Sequence, residues 1–161
     1  MSKSSRDELA LKLASVSPNH PLKSKDLKIA EGDDPSLSIV FDENEKIYLC
    51  AIKKGKDDVF YFPSLKDSWI LPSRPTVTVD SGAVKFVVNG ANVMRPGITK
   101  IDGHFASGDI VVVNEEKYGK AIAVGLAKMS ESEMQSAKKG QAVETLHYVG
   151  DKFWDMLKEV P

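Results

Sequence analysis

Short apolar runs punctuated by turn residues organise the chain. In the first half Leu37–Phe41 (LSIVF), Ile47–Ile52 (IYLCAI) and Val59–Leu65 (VFYFPSL) are rich in β-branched and aromatic residues. The polar stretches DENEK and KKGKDD separate them, so the pattern predicts a β-meander. Pro63 and Pro72 suit strand edges or turns, because proline cannot donate to a ladder. Ahead of the meander, Leu9, Leu13 and Val16 recur at helical spacing, and Ser5-Arg6-Asp7-Glu8 has the form of a capping box. A helix over Ser4–Val16, ended by Ser17-Pro18-Asn19-His20-Pro21, is therefore expected.

The second half repeats the alternation with more helical signals. Thr76–Val79, Ile110–Val113, Ala121–Ala127 and Gln141–Tyr148 read as strands, the middle two joined by a hairpin turn over Glu115–Lys120. Ser81–Val88 fits a short helix with Asp80 and Ser81 at its cap. Ser130–Glu133 opens another by capping-box logic, with Lys138 and Lys139 in its last turn and Gly140 beyond it. Asp151–Leu157 predicts a terminal helix that docks through Phe153, Trp154 and Leu157. The stiff Pro72-Ser73-Arg74-Pro75 marks a boundary. The reading is α+β: a mixed domain over 1–74, then a mostly β domain over 75–161 with helical crossings, in the outline of a compact barrel.

Charge narrows the chemistry. The 161 residues carry a net charge of −1; residues 1–74 hold 12 basic and 12 acidic side chains, residues 75–161 hold 10 and 11. A polyanion site must then be local. Ser81–Ile101 has Lys85, Arg95 and Lys100 with no acid, and Lys117–Lys128 has Lys117, Lys120 and Lys128 with none. The single cysteine, Cys50, precludes an internal disulfide framework and reads as a small buried hydrophobe. His20, His104 and His147 show no metal-ligand spacing, so no metal and no cofactor is expected. No run approaches a membrane span and the amino terminus has no signal-peptide character, which points to the cytoplasm.

The acid-free stretch SGAVKFVVNGANVMRPGITK concentrates the candidate chemistry. On a helix, Ser81, Lys85 and Asn89 stand one turn apart on a single face, while the valines and Phe86 cover the rest. Gly90 suits a left-handed helix end, Val93 and Met94 turn inward, and Pro96-Gly97 reverses the chain again. Lys85, Asn89, Asn92 and Arg95 offer amide donors and positive charge beside two glycines that allow close backbone approach. Such a set suits phosphate and base edges. The run lacks the Lys-Ser/Thr ending of a phosphate-binding P-loop. His104 has no Ser or Cys partner in a recognisable motif, and no catalytic residues emerge.

The same residues carry a resemblance. VDSGAVKFVVNGANVMRPGI, GDIVVV, AIAVGLAKMS, SESEMQSAKKG and GQAVETLHYV together resemble a PUA domain, the RNA-binding module of pseudouridine synthases and archaeosine transglycosylases. GANVMRPG, KMS and the late HYVGDKFWDM, in that order, are more closely similar to the malignant T-cell-amplified family of small translation proteins, as is VFYFPSL…WILP before the PUA part. The resemblance implies a pre-PUA domain followed by a PUA pseudobarrel that binds structured RNA, tRNA or rRNA. By position, it assigns RNA contacts to Lys85, Asn89, Gly90, Ala91, Asn92, Arg95, Gly97 and His147. It also implies work on the small ribosomal subunit in initiation or recycling, beside a SUI-type translation factor. No enzymatic activity, membrane or DNA partner is expected. A protein-interaction adaptor with little RNA affinity is the alternative, favoured by the balanced charge.

Overall fold

The computed structural model describes residues 3–13 and 26–161, so Val16 and the predicted stop at Ser17–Pro21 lie outside the described residues. The chain divides into two compact units, one of residues 1–72 with 155–161 and one of residues 73–154.

In the first unit, helix α1 (Lys3–Leu13) buries Leu9 and Leu13, as their four-residue spacing requires. Ser5 lies within this helix, which begins by Lys3, one residue ahead of the expected start at Ser4. The sheet is an antiparallel meander of β1 (Lys28–Glu31), β2 (Leu37–Asp42), β3 (Ile47–Lys53) and β4 (Val59–Pro63), in that order. The three apolar runs became β2, β3 and β4, and Pro63 closes the edge strand. The turn between β2 and β3 holds Lys46 at φ 57°. Strand β1 was not legible: KIAE has charged ends and three exposed positions. Leu9, Leu13, Leu27, Val40, Leu49 and Ile70 form the core, with Trp69 packed at its margin and Cys50 fully buried.

The buried Asp67 organises the exit from this meander. Its Oδ1 accepts from the Tyr48 amide at 2.9 Å, while Oδ2 accepts from the amides of Trp69, Ile70 and Leu71. Desolvation raises its pKa above the usual carboxylate value, against the lowering pull of those same amides.

The second unit is a mixed six-stranded sheet. It comprises β5 (Thr76–Val79), β6 (Val93–Met94), β7 (Ile98–Asp102), β8 (Ile110–Glu115), β9 (Ala121–Ala127) and β10 (Gln141–Tyr148). Its order is β6-β10-β9-β8-β5-β7, all neighbours antiparallel except β5 and β8. Strands β5, β9 and β10 match the sequence expectation residue for residue, since each is a short apolar run bounded by turn residues. Val77 and Val79 of β5, Val111 and Val113 of β8, Ala123 and Val143 meet in one core. Helix α2 (Ser81–Val87) follows β5, and α3 (Glu131–Ser136) opens on the anticipated Ser130–Glu133 capping box. Helix α3 ends at Ser136, so Lys138 and Lys139 fall beyond its last turn. The chain changes unit between Pro72 and Ser73 and again between Trp154 and Asp155, within the terminal helix α4 (Lys152–Glu159). The α+β reading therefore holds.

Candidate nucleic-acid interface

Helix α2 is set by its cap. Asp80 sits in extended conformation and its carboxylate accepts from the Ala83 amide at 2.8 Å, the structural role expected of it. The helix buries only Val87 completely; Ala83, Val84 and Val88 are half-buried. Ser81, Lys85 and Asn89 are exposed as the helical spacing implies, but so is Phe86, with 59% of its surface open. The polar stripe therefore has an aromatic neighbour, and the Lys85 ammonium lies 5.4 Å from the centroid of that ring.

Gly90 ends the helix at φ 92°, where a side chain would also crowd the Tyr148 hydroxyl. Gly97 is close to helix α2: an added Cβ there would come within 3.1 Å of the Ala83 methyl. Between these two turns the chain frames an open groove of about 450 Å³, lined by Ala83, Phe86, Ala91, Asn92, Met94 and Gly97 among others. Its wall is mainly apolar, because Met94 leaves 51% of its surface exposed while Val93 alone turns inward. This corrects the expectation that both residues would dip into the core.

The sequence-assigned polar groups divide by what they touch. The Lys85 ammonium carries no carboxylate partner among the described ion pairs. Asn89 folds its amide back onto the Lys85 carbonyl at 2.7 Å. Asn92 accepts from the Thr145 amide at 3.0 Å, and the Thr145 hydroxyl donates to the Ala91 carbonyl at 2.9 Å, so the loop is laced to β10. Arg95 is half-buried, with Nε donating to the Met134 carbonyl and Nη1 to the Ile98 carbonyl at 3.0 Å. It holds the loop against α3 and β7. His147 has no exposed surface: Nδ1 lies 3.0 Å from both Asp151 oxygens and Phe153 meets the ring edge-on. An imidazole in that position cannot touch RNA, which corrects its assignment to the surface. The groove thus gathers Ala91, Asn92 and Gly97, with Lys85, Asn89 and Gly90 on the adjoining helix end. Phe86 and Met94 escaped sequence reasoning, since an apolar residue in an apolar run carries no mark of exposure.

His104 is an exposed loop residue whose Nδ1 pairs with Glu131, and that hydrogen bond raises its pKa. Among the described residues no three His, Cys, Asp or Glu side chains form a metal-holding group, and no helix is long and apolar enough to cross a membrane.

The PUA domain family matches residues 75–149, which contain the whole groove. Protein MJ1432 of Methanocaldococcus jannaschii is 41% identical over 133 residues, covering 83% of this chain and 78% of that one. Translation machinery-associated protein 20 of Eremothecium gossypii is 37% identical over 126 residues, covering 70% of this chain and 68% of that protein. This chain belongs to the PUA-domain family of translation-machinery-associated and malignant T-cell-amplified proteins. Among solved structures, the hypothetical protein PH0734.1 of Pyrococcus horikoshii superposes with TM-score 0.70 at 32% identity over 96% of both chains. Likeness over nearly the full length carries the part before the PUA domain as well, whereas the match to the Saccharomyces cerevisiae relative spans only 58% of that protein. Within the PUA domain the GANVMRPG run supplies part of the groove wall, whereas KMS leads into the α3 cap outside it.

Proposed function

We propose that this protein binds structured RNA through its PUA domain and acts in translation, with no bond made or broken. The observation that carries the reading is the exposed Lys85–Phe86 pair at the lip of the apolar groove. An ammonium beside an open aromatic face suits a phosphate and an unstacked base together, the combination by which proteins recognise folded RNA at loops and ends. Lys85, Asn89 and Gly90 form one side of this surface, and Ala91, Asn92 and Gly97 the other. Arg95 acts by holding the loop in place. The RNA is tRNA or rRNA, in a cytoplasmic setting on the small ribosomal subunit. The domain over 1–74 supplies the protein or ribosomal contact, with a SUI-type factor as partner, while residues from 75 onward carry the RNA site.

An adaptor that binds protein with little RNA affinity is the second reading, supported by the net charge of −1 and by the apolar surface of Phe86 and Met94. A salt titration with transcribed tRNA and rRNA stem-loops separates them. The RNA reading expects log affinity to fall against log salt with a slope of about −0.7 to −0.9 per phosphate contact, and Lys85→Glu to make that slope shallower. Absence of RNA binding at low salt favours the adaptor.

A further inference from the structure

The hairpin between β8 and β9 carries a feature that the groove leaves unused. Tyr118, at its tip, keeps 71% of its surface exposed, and two lysines lean over its ring: Lys117 Nζ at 5.1 Å and Lys120 Nζ at 6.0 Å from the centroid. The two acids of the same turn point elsewhere. Glu115 accepts from the amides of Lys117, Tyr118 and Lys120, each at 2.9 Å, and Glu116 accepts from the Ser81 amide at 3.3 Å. Both carboxylates are thereby occupied with backbone, while the ammonium groups gather around an aromatic ring in solvent.

The parallel pairing of β5 with β8 decides where this tip lies. Val79 pairs with Glu115, so α2 and the hairpin tip leave the sheet from the same end on neighbouring strands. The Glu116 amide donates to the Val79 carbonyl at 3.1 Å, and Glu116 also reaches the first residue of α2. Lys85 is one helical turn further, about 6 Å along the axis. Tyr118 is two residues from Glu116, at most about 7 Å. Two aromatic–lysine pairs therefore lie within roughly 20 Å of one another on one end of the sheet.

We propose that the β8–β9 tip is a second RNA contact that takes an unpaired nucleotide flanking the folded element, with Tyr118 stacked on the base and Lys117 and Lys120 on the adjoining phosphates. The inference rests on the RNA-binding reading of the groove and names what continues from it. Only an unpaired base offers a free face to a surface ring, and stacking of this kind tolerates any sequence. A base arriving on the ring displaces the more distant Lys120 ammonium, which then meets the nucleotide's own phosphate.

Fluorescence anisotropy with a stem-loop RNA, blunt or extended by an unpaired pyrimidine tail at its 5′ or 3′ end, tests this. The full chain binds one tailed RNA more tightly than the blunt one. Tyr118→Ala removes that gain, a loss of roughly 5- to 100-fold, and leaves the blunt RNA and the melting temperature unchanged. Tyr118→Phe retains the gain, and Lys117→Ala with Lys120→Ala reduces it and its salt dependence. If both RNAs bind and Lys85→Glu weakens both, but neither tail adds affinity or Tyr118→Ala leaves the gain intact, the tip is overturned and the groove stands. If wild-type protein binds neither RNA, the groove reading fails and the tip with it.

Discussion

Asp151 takes the imidazole of His147 on both carboxylate oxygens at 3.0 Å, and the same group accepts from the amides of Tyr148 and Trp154. One side chain thus ties the end of β10 to the first turn of α4. Removing it leaves two amides and a fully buried ring nitrogen without their acceptor. Asp151→Ala is expected to destabilise the protein by about 2–4 kcal/mol in urea denaturation. RNA affinity of the folded fraction stays unchanged, because this cluster is interior.

Lys85 and Arg95 separate in the same way. Lys85→Glu is expected to weaken RNA binding more than tenfold, with stability held within about 0.5 kcal/mol, as for an exposed helix position. Arg95→Ala leaves the Met134 and Ile98 carbonyls without their donor, and a loss of about 1–3 kcal/mol follows. Binding assays paired with thermal melts distinguish the two. A strong binding defect at unaltered stability in Arg95→Ala would return the guanidinium to the RNA surface.

The His104–Glu131 pair sets a pH dependence with a definite sign. The hydrogen bond to Glu131, then its charge, raises the His104 pKa above 6.5. The interaction is fully present below the unfolded-state pKa and is lost as pH rises through the folded value. An NMR titration of His104 should show a midpoint above 6.5, and Glu131→Gln should bring it down. A midpoint at or below that value in the wild type contradicts the pairing.

Asp67 makes the opposite kind of test. Burial raises its pKa, so the folded state holds its proton more tightly than the unfolded chain, and stability falls as pH rises from the unfolded value through the folded one. Asp67→Asn removes that step but turns an NH₂ group toward backbone donors on one oxygen site. It is expected to cost about 2–4 kcal/mol near neutral pH and to flatten the acid limb of the stability profile. Chemical denaturation across the acid range measures both.

Much of the fold was legible because its signals are local. Asp80 and Ser130 cap helices through side chains that reach three residues ahead, and β5, β9 and β10 are bounded by turn residues on both sides. The strands that escaped, β1, β6 and β7, are sheet-edge segments with few buried positions, so their sequences show little apolar periodicity. At the candidate site, the glycine turns and the helix face of Lys85 followed from spacing, whereas Phe86 and Met94 read as core and are open to solvent.

The amino-acid sequence by itself determined the caps, the turns, the strand alternation and the family motif, since each is written within a few consecutive residues. Tertiary structure alone decided which polar groups remain available to a ligand. Arg95 is engaged by a carbonyl 39 positions away, Asn92 by an amide 53 positions away, and Glu116 by the helix start 35 positions back. Exposure of Phe86 and Tyr118 was settled the same way, by which distant elements pack over a side chain and which do not.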